Sequence, residues 1–210
     1  FQQRCSSHPQ VDACWTHASG PVEAVVIAAD ACVDVIVALA PSAPPRAWLD
    51  VPVPWARRSM IVGDATLMGV RLRRAHGGAL RHHAARPHLL AAAGACHEVA
   101  ELEQLLAGFL ADAPPTPAIV EDFVGSLPRL GQLTSAARRR LERAVQHWLG
   151  LTPKMVQRIA RADDAATMLG AGDAIVEVAA NLGFADQAHL TRELVRLHGV
   201  TPGRLRRGGG

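Results

Sequence analysis

With 210 residues, the chain has room for one domain of ordinary size and a smaller second one. Its 22 basic and 19 acidic side chains leave a net charge of +3, and the excess is uneven, since residues 134–210 carry 12 basic against 7 acidic groups and the preceding residues 10 against 12. The longest apolar stretch, residues 22–40, contains Glu23, Asp30 and Asp34, which excludes a membrane-spanning helix; no secretion signal is visible, so a cytoplasmic protein with no membrane partner is expected.

The amino-terminal half alternates. Val22, Ala24, Val26 and Ala28, then Val33, Val35 and Val37, recur with the period of a strand. Candidate strands fall at about 13–17, 23–27, 33–39, 47–51, 60–62 and 67–73. They are separated by Ser19-Gly20-Pro21, the proline cluster at 41–45, prolines 52 and 54, and Gly63-Asp64. From Gly77 to Leu110 the pattern turns helical through an alanine-rich segment. Ala113-Pro114-Pro115-Thr116-Pro117 is the clearest linker. The expected division is a β-rich domain over 1–112, a linker over 113–117 and a helical domain over 118–210.

Little in the chain points to catalysis. There is no G-x-S-x-G elbow, no phosphate-binding glycine loop and no H-E-x-x-H. Asp30 and Asp34 as a strand pair would stand about 13 Å apart, too far for joint chemistry. The four cysteines (Cys5, Cys14, Cys32, Cys96) form no C-x-x-C pair, the nearest two being nine residues apart. Of His82, His83, His88 and His97, His83 and His88 come nearest to an i, i+4 spacing, and Pro87 interrupts them. No catalytic residue, metal site or cofactor is expected, and the chain is read as a non-enzyme.

Beyond the linker, two segments share one grammar. Leu141, Val145 and Trp148 make the buried stripe of a helix that Thr134 or Ser135 caps and Gly150 stops, and Thr152-Pro153 opens a further helix over about 153–169. Ile175, Val178, Ala179 and Leu182 recur at i, i+3, i+4 and i+7. Gly183 turns the chain, Asp186 caps a helix with the stripe Leu190, Leu194 and Leu197, Gly199 stops it, and Thr201-Pro202 restarts it. At an offset of 49, Gly150 matches Gly199, Thr152-Pro153 matches Thr201-Pro202, Leu141 matches Leu190 and Arg143 matches Arg192. A short helix, a glycine turn and a second helix with exposed arginines is the helix-turn-helix layout of DNA readers. In the first copy, Pro128 and Gly131 stand where the second has Glu177 and Ala180. Proline and glycine cost about 3 and about 1 kcal/mol inside a helix, so the first copy's leading helix is expected to be short or to start at Pro128.

The second copy resembles the carboxy-terminal DNA-binding domain of AraC/XylS-type transcription regulators. The carrying residues are Ala179, Gly183-Phe184, Asp186-Gln187-Ala188-His189-Leu190, Arg192, Gly199, Thr201-Pro202 and Arg206. Residues 137–161 resemble the family's first unit. Residues 27–36 (near L-P-D-G-C-x-D-L-I) and 69–73 (near G-V-R-F-x-P) are similar to a β-rich domain of unknown function found in one branch, with Ala29 and Ala31 replacing a Pro and a Gly. The fold class this implies is α+β, a β-rich amino-terminal domain followed by an all-α double helix-turn-helix domain. The resemblance also implies double-stranded DNA and RNA polymerase as partners. It makes the amino-terminal domain a sensor or dimerisation domain, taking a small-molecule effector or forming a homodimer. A rival reading is a methyl-accepting DNA-repair protein, in which a zinc–cysteine domain is fused to the same double unit. Its four clustered thiolates are not matched by these spacings.

The helical wheel names the candidate DNA contacts. In the second copy, Gln187, Ala188, His189 and Arg192 are placed to meet base edges, with Arg196 on the flank. Glutamine suits adenine, arginine suits guanine, and alanine packs on a thymine methyl. In the first copy Arg139, Glu142, Arg143 and Gln146 face outward. Arg138, Arg139 and Arg140 fall in the expected first turn, where cations oppose the helix dipole and phosphate would relieve them. Arg139 and Arg143 are expected in the groove, with Arg138 and Arg140 on phosphate.

Overall fold

The computed structural model describes residues 1–20 and 22–208. Among them the alternating half forms seven strands, β1 (Gln2–Cys5), β2 (Val11–Ala18), β3 (Val22–Ile27), β4 (Asp34–Ala40), β5 (Ala43–Asp50), β6 (Arg57–Val62) and β7 (Thr66–Leu72). Five build an antiparallel sheet in the order β1-β2-β7-β4-β5, and β3 pairs with β6 as a separate two-stranded sheet. Strand β1 was not expected, because Gln2-Gln3-Arg4-Cys5 offers no apolar alternation and all four residues are exposed. Strand β5 takes in Pro44 and Pro45 from the stretch read as a loop. It lies at the sheet edge, where a residue without an N–H breaks no ladder bond.

Helices α1 (Gly77–Arg81), α2 (Arg86–Ala93) and α3 (Val99–Ala111) follow the sheet. Glu98 and Glu101 close a capping box that starts α3. Leu102, Leu106 and Leu110 of α3 are buried, and the helix packs on β2 and β7, while α2 packs on β5. On β4, Asp34 is only 3% exposed. Its carboxylate accepts from Trp15 Nε1 at 3.0 Å and from Arg71 Nε and Nη2 at 3.2 and 3.0 Å. Asp34 and Arg71 are cross-strand partners, so one buried carboxylate ties β2, β4 and β7 together. Asp30 lies in the turn before β4, so the two aspartates do not share a strand. In that turn Ala31 holds φ of 56°, where the resembling motif has glycine, a conformation that costs an L-residue roughly 1–2 kcal/mol.

The helical part begins with α4 (Ala118–Ser126) and α5 (Ser135–Leu149) and continues through α6 (Pro153–Gly170), α7 (Ile175–Asn181), α8 (Gln187–His198) and α9 (Pro202–Gly208). No helix among the described residues is long and apolar enough to cross a membrane. Between α4 and α5 the first copy has only a 3-10 turn, Leu130–Gln132, in place of the leading helix. Pro128 and Gly131 account for the loss.

The chain forms two compact units that do not divide at 113–117. One comprises Phe1–Ala24, Cys32–Pro52 and Met60–Gly150; the other Val25–Ala31, Val53–Ser59 and Leu151–Gly210. Helices α4 and α5 thus belong to the unit with the large sheet. There α5 packs on α1 and α4, and Trp148 donates from Nε1 to the Ala75 carbonyl at 2.8 Å. Gly78 makes room for its indole, because a Cβ there would lie 2.3 Å from Trp148 Cδ2.

Candidate nucleic-acid interface

Helix α8 starts where the sequence places it. Asp186 is extended and its carboxylate accepts from the His189 N–H at 2.6 Å. Gly199 closes the helix at φ of 71°, donating to the Val195 carbonyl at 3.0 Å. Leu190, Leu194 and Leu197 are fully buried, which turns Gln187, Ala188, Arg192, Val195 and Arg196 outward, and all five are exposed. His189 departs from its expected place. It is only partly exposed, its Nδ1 accepts from the Ala185 N–H at 3.3 Å, and its ring stands edge-on to Phe184 at 5.4 Å. One ring nitrogen therefore serves the turn rather than a base edge.

Helix α6 holds α8 by groups that periodicity did not single out. Arg158 donates from Nε and Nη2 to the two carboxylate oxygens of Glu193 at 2.8 and 2.7 Å, a fork-to-fork pair. Arg161 lies over the Phe184 ring at 4.5 Å from its centroid. His198 approaches Asp163 at 3.0 Å. The signal for Glu193 was its position, i+3 from Leu190 and next to Leu194, a carboxylate set into an apolar face. The other support had no local signal. The Ala29 and Ala56 N–H groups donate to the carbonyls of Leu197 and Arg196 at 2.7 and 2.8 Å, so segments 25–31 and 53–59 satisfy carbonyls that a helix end leaves unpaired.

In α5 the cap is Thr134, whose hydroxyl accepts from the Ala137 N–H at 3.3 Å. By the repeat the cap would fall at 137, so α5 begins almost a turn earlier than α8. Arg138, Arg139 and Arg140 therefore lie beyond the first turn, which Ser135, Ala136 and Ala137 occupy. The expected conflict with the helix dipole is correspondingly weaker, since that effect fades within a turn. Arg138, Arg139, Arg140, Arg143 and Gln146 are exposed, opposite the buried Leu141, Val145 and Trp148. Arg138 is not free, because its Nε donates to Glu142 at 2.9 Å across one turn.

A family profile described as a helix-turn-helix domain matches residues 130–208. Residues 130–208 are a helix-turn-helix domain of the AraC type. Among solved structures the chain is similar to ToxT from Vibrio cholerae O395, at 9% identity over 92% of this chain and 96% of that one, TM-score 0.45. It is also similar to apo ToxT K231A from Vibrio cholerae strain SCE256, at 9% identity over 95% and 98%, TM-score 0.43. A third is ToxT bound to (E)-4-(8-methylnaphthalen-1-yl)but-3-enoic acid, at 8% identity over 96% and 100%, TM-score 0.45. A search of curated proteins gave no significant match.

Outside the AraC-type domain, the geometry does not assemble the thiolates that the repair reading needs. Cys14 and Cys96 are buried, Cys5 is exposed and Cys32 lies between. Burial pushes the Cys14 thiol up to about 11 and raises Cys96 as well, away from the nucleophilic form. No three of His, Cys, Asp and Glu among the described residues stand close enough to hold a metal. His82 instead stacks on His147 at 4.3 Å, and His83 lies against Phe109.

The Arg158–Glu193 pair makes the AraC-type domain sensitive to acid. The Arg158 hydrogen bonds hold the Glu193 carboxyl below its ordinary value of 4.5, against the opposing effect of burial. A carboxyl lowered by folding stabilises the native state at pH above its unfolded value and loses that contribution as pH falls through the folded one. Glu193→Gln should therefore lower the melting midpoint at pH 7, and the gap to wild type should close as pH drops below about 4.5. Thermal melts of both proteins from pH 7 to pH 3 check this; a constant gap would contradict it.

Proposed function

We propose that the chain is a non-enzymatic, sequence-specific transcription regulator that acts in the cytoplasm and reads two successive major grooves of double-stranded DNA. Helix α8 reads one groove and α5 the other. The observation that carries the reading is the outward face of α8: a capped helix, inside the matched domain, that exposes Gln187, Ala188, Arg192 and Arg196 beside a fully buried leucine stripe. Gln187 is assigned to adenine, Arg192 to guanine, Ala188 to a thymine methyl and Arg196 to the groove flank. His189 contributes at most through Nε2, given the bond its Nδ1 makes to the turn.

The second groove is assigned to α5 by the 49-residue repeat. Arg139 and Arg143 meet bases, while Arg138 and Arg140 meet phosphate, with Arg138 first leaving Glu142. That exchange is cheap, because exposed i, i+4 pairs contribute about 0.3–0.5 kcal/mol. By the same reading residues 118–210 are the DNA-binding part, 113–117 the linker, and 1–112 a sensor or dimerisation domain. A small-molecule effector, a second copy of the chain and RNA polymerase are the further partners it implies.

Two measurements test the division of labour. Arg192→Ala should weaken operator binding by about 1–3 kcal/mol and relax preference at one base pair, which a binding-site selection with the variant reads directly; an unaltered preference sinks the assignment. Neutralising Arg138 and Arg140 together should reduce the slope of log K against log salt by about two units. An identical slope would remove both residues from the phosphate contacts.

A further inference from the structure

The Arg158–Glu193 pair is unusual for where it sits. Glu193 is 9% exposed and follows Arg192 directly in α8, while Arg158 reaches it from the middle of α6 with both prongs of its guanidinium. The charges of His189 and Arg161 favour the same ionised carboxylate. Buried ion pairs add little net stability compared with apolar side chains of similar volume, and their best-attested use is to select one register among several. Here the competing registers are rotations of α8. The leucine stripe resists separation of the two helices, but aliphatic contacts are non-directional and by themselves do not fix the roll of α8 about its axis. At a helix radius of about 5–6 Å, a 15° turn carries surface atoms by roughly 1.5 Å. That is more than the width of the hydrogen-bonding window, about 2.7–3.2 Å. A planar fork bonded to a planar carboxylate has no such freedom.

The geometry points to Arg158 and Glu193 as a positioning pair for base recognition, fixing the rotation of α8 on α6 so that Arg192 presents its guanidinium to one base pair. Neither residue touches DNA in this account. The pair governs which base is preferred rather than how tightly DNA in general is held. The inference rests on α8 being the reading helix.

Binding-site selections on the full chain test it, with Glu193→Gln, Arg158→Lys, the apolar pair Arg158→Met with Glu193→Leu, and Arg192→Ala. Circular dichroism melts establish folding for each. The apolar pair should melt at or above the wild-type midpoint yet lose about tenfold discrimination at the base pair that Arg192→Ala relaxes. Glu193→Gln and Arg158→Lys, which keep part of the bonding, should lose about threefold. Affinity for non-operator DNA at low salt should change less than twofold in all three. Folded pair variants with wild-type discrimination, while Arg192→Ala relaxes it, would overturn the positioning role alone. If Arg192→Ala leaves preference intact, the reading of α8 fails and the positioning role falls with it. An equal loss of specific and non-operator affinity would make the pair merely structural.

Discussion

Helix α6 is the constraint on which the packing of α7, α8 and α9 depends. It runs unbroken from Pro153 to Gly170 and buries Val156, Ile159, Ala160, Ala162, Ala165 and Leu169 against the helices that follow it. From the flanks of that buried face, polar groups of α6 reach α8 and the turn before it at fixed points. Arg161 holds the turn before α8 through Phe184, Arg158 holds its middle through Glu193, and Asp163 faces His198 at its end. Three attachments, from the turn before α8 to its last residue, leave it little freedom to roll. The base-reading role proposed for α8 needs that rigidity, since hydrogen bonds to base edges tolerate only a few tenths of an ångström.

The β-rich half takes part in this arrangement through two short segments. Residues 25–31 and 53–59 belong to the compact unit built on α6–α9, and their backbone N–H groups cover the last carbonyls of α8. Gly199, next to them, has no side chain where a Cβ would come within 2.5 Å of Val26 Cγ1. The glycine therefore has two reasons to be there, the left-handed cap and the close approach. The first copy is built differently. Its helix α5 is longer, its leading helix is reduced to a 3-10 turn, and Trp148 anchors it to the Ala75 carbonyl just before α1.

Much of the helical part was legible because its signals are local. Thr134, Thr152 and Asp186 cap the helices they were expected to cap, Gly150 and Gly199 end them in the left-handed conformation, and the 3.6-residue stripes sort the outward arginines correctly. The failures were non-local. The Ala185 bond to His189 Nδ1 and the edge-on contact with Phe184 have no signal in the periodicity that places His189 beside the base-reading candidates. The bond from Ala29 to Leu197 joins residues far apart in the chain, and no periodicity encodes such a partner. In the sheet, valine alternation located most strands, but β1 pairs through backbone alone and Pro44-Pro45 concealed an edge strand.

The proposed entry of α5 and α8 into successive major grooves is tested most directly by guanine methylation interference, because N7 lies in the major groove. On an operator recovered by selection, two clusters of interference should appear on one face of the duplex, about one helical turn apart at roughly 10 base pairs, with α8 responsible for one of them. Interference confined to a single groove would contradict the two-helix reading, and binding indifferent to N7 methylation throughout would contradict major-groove recognition itself.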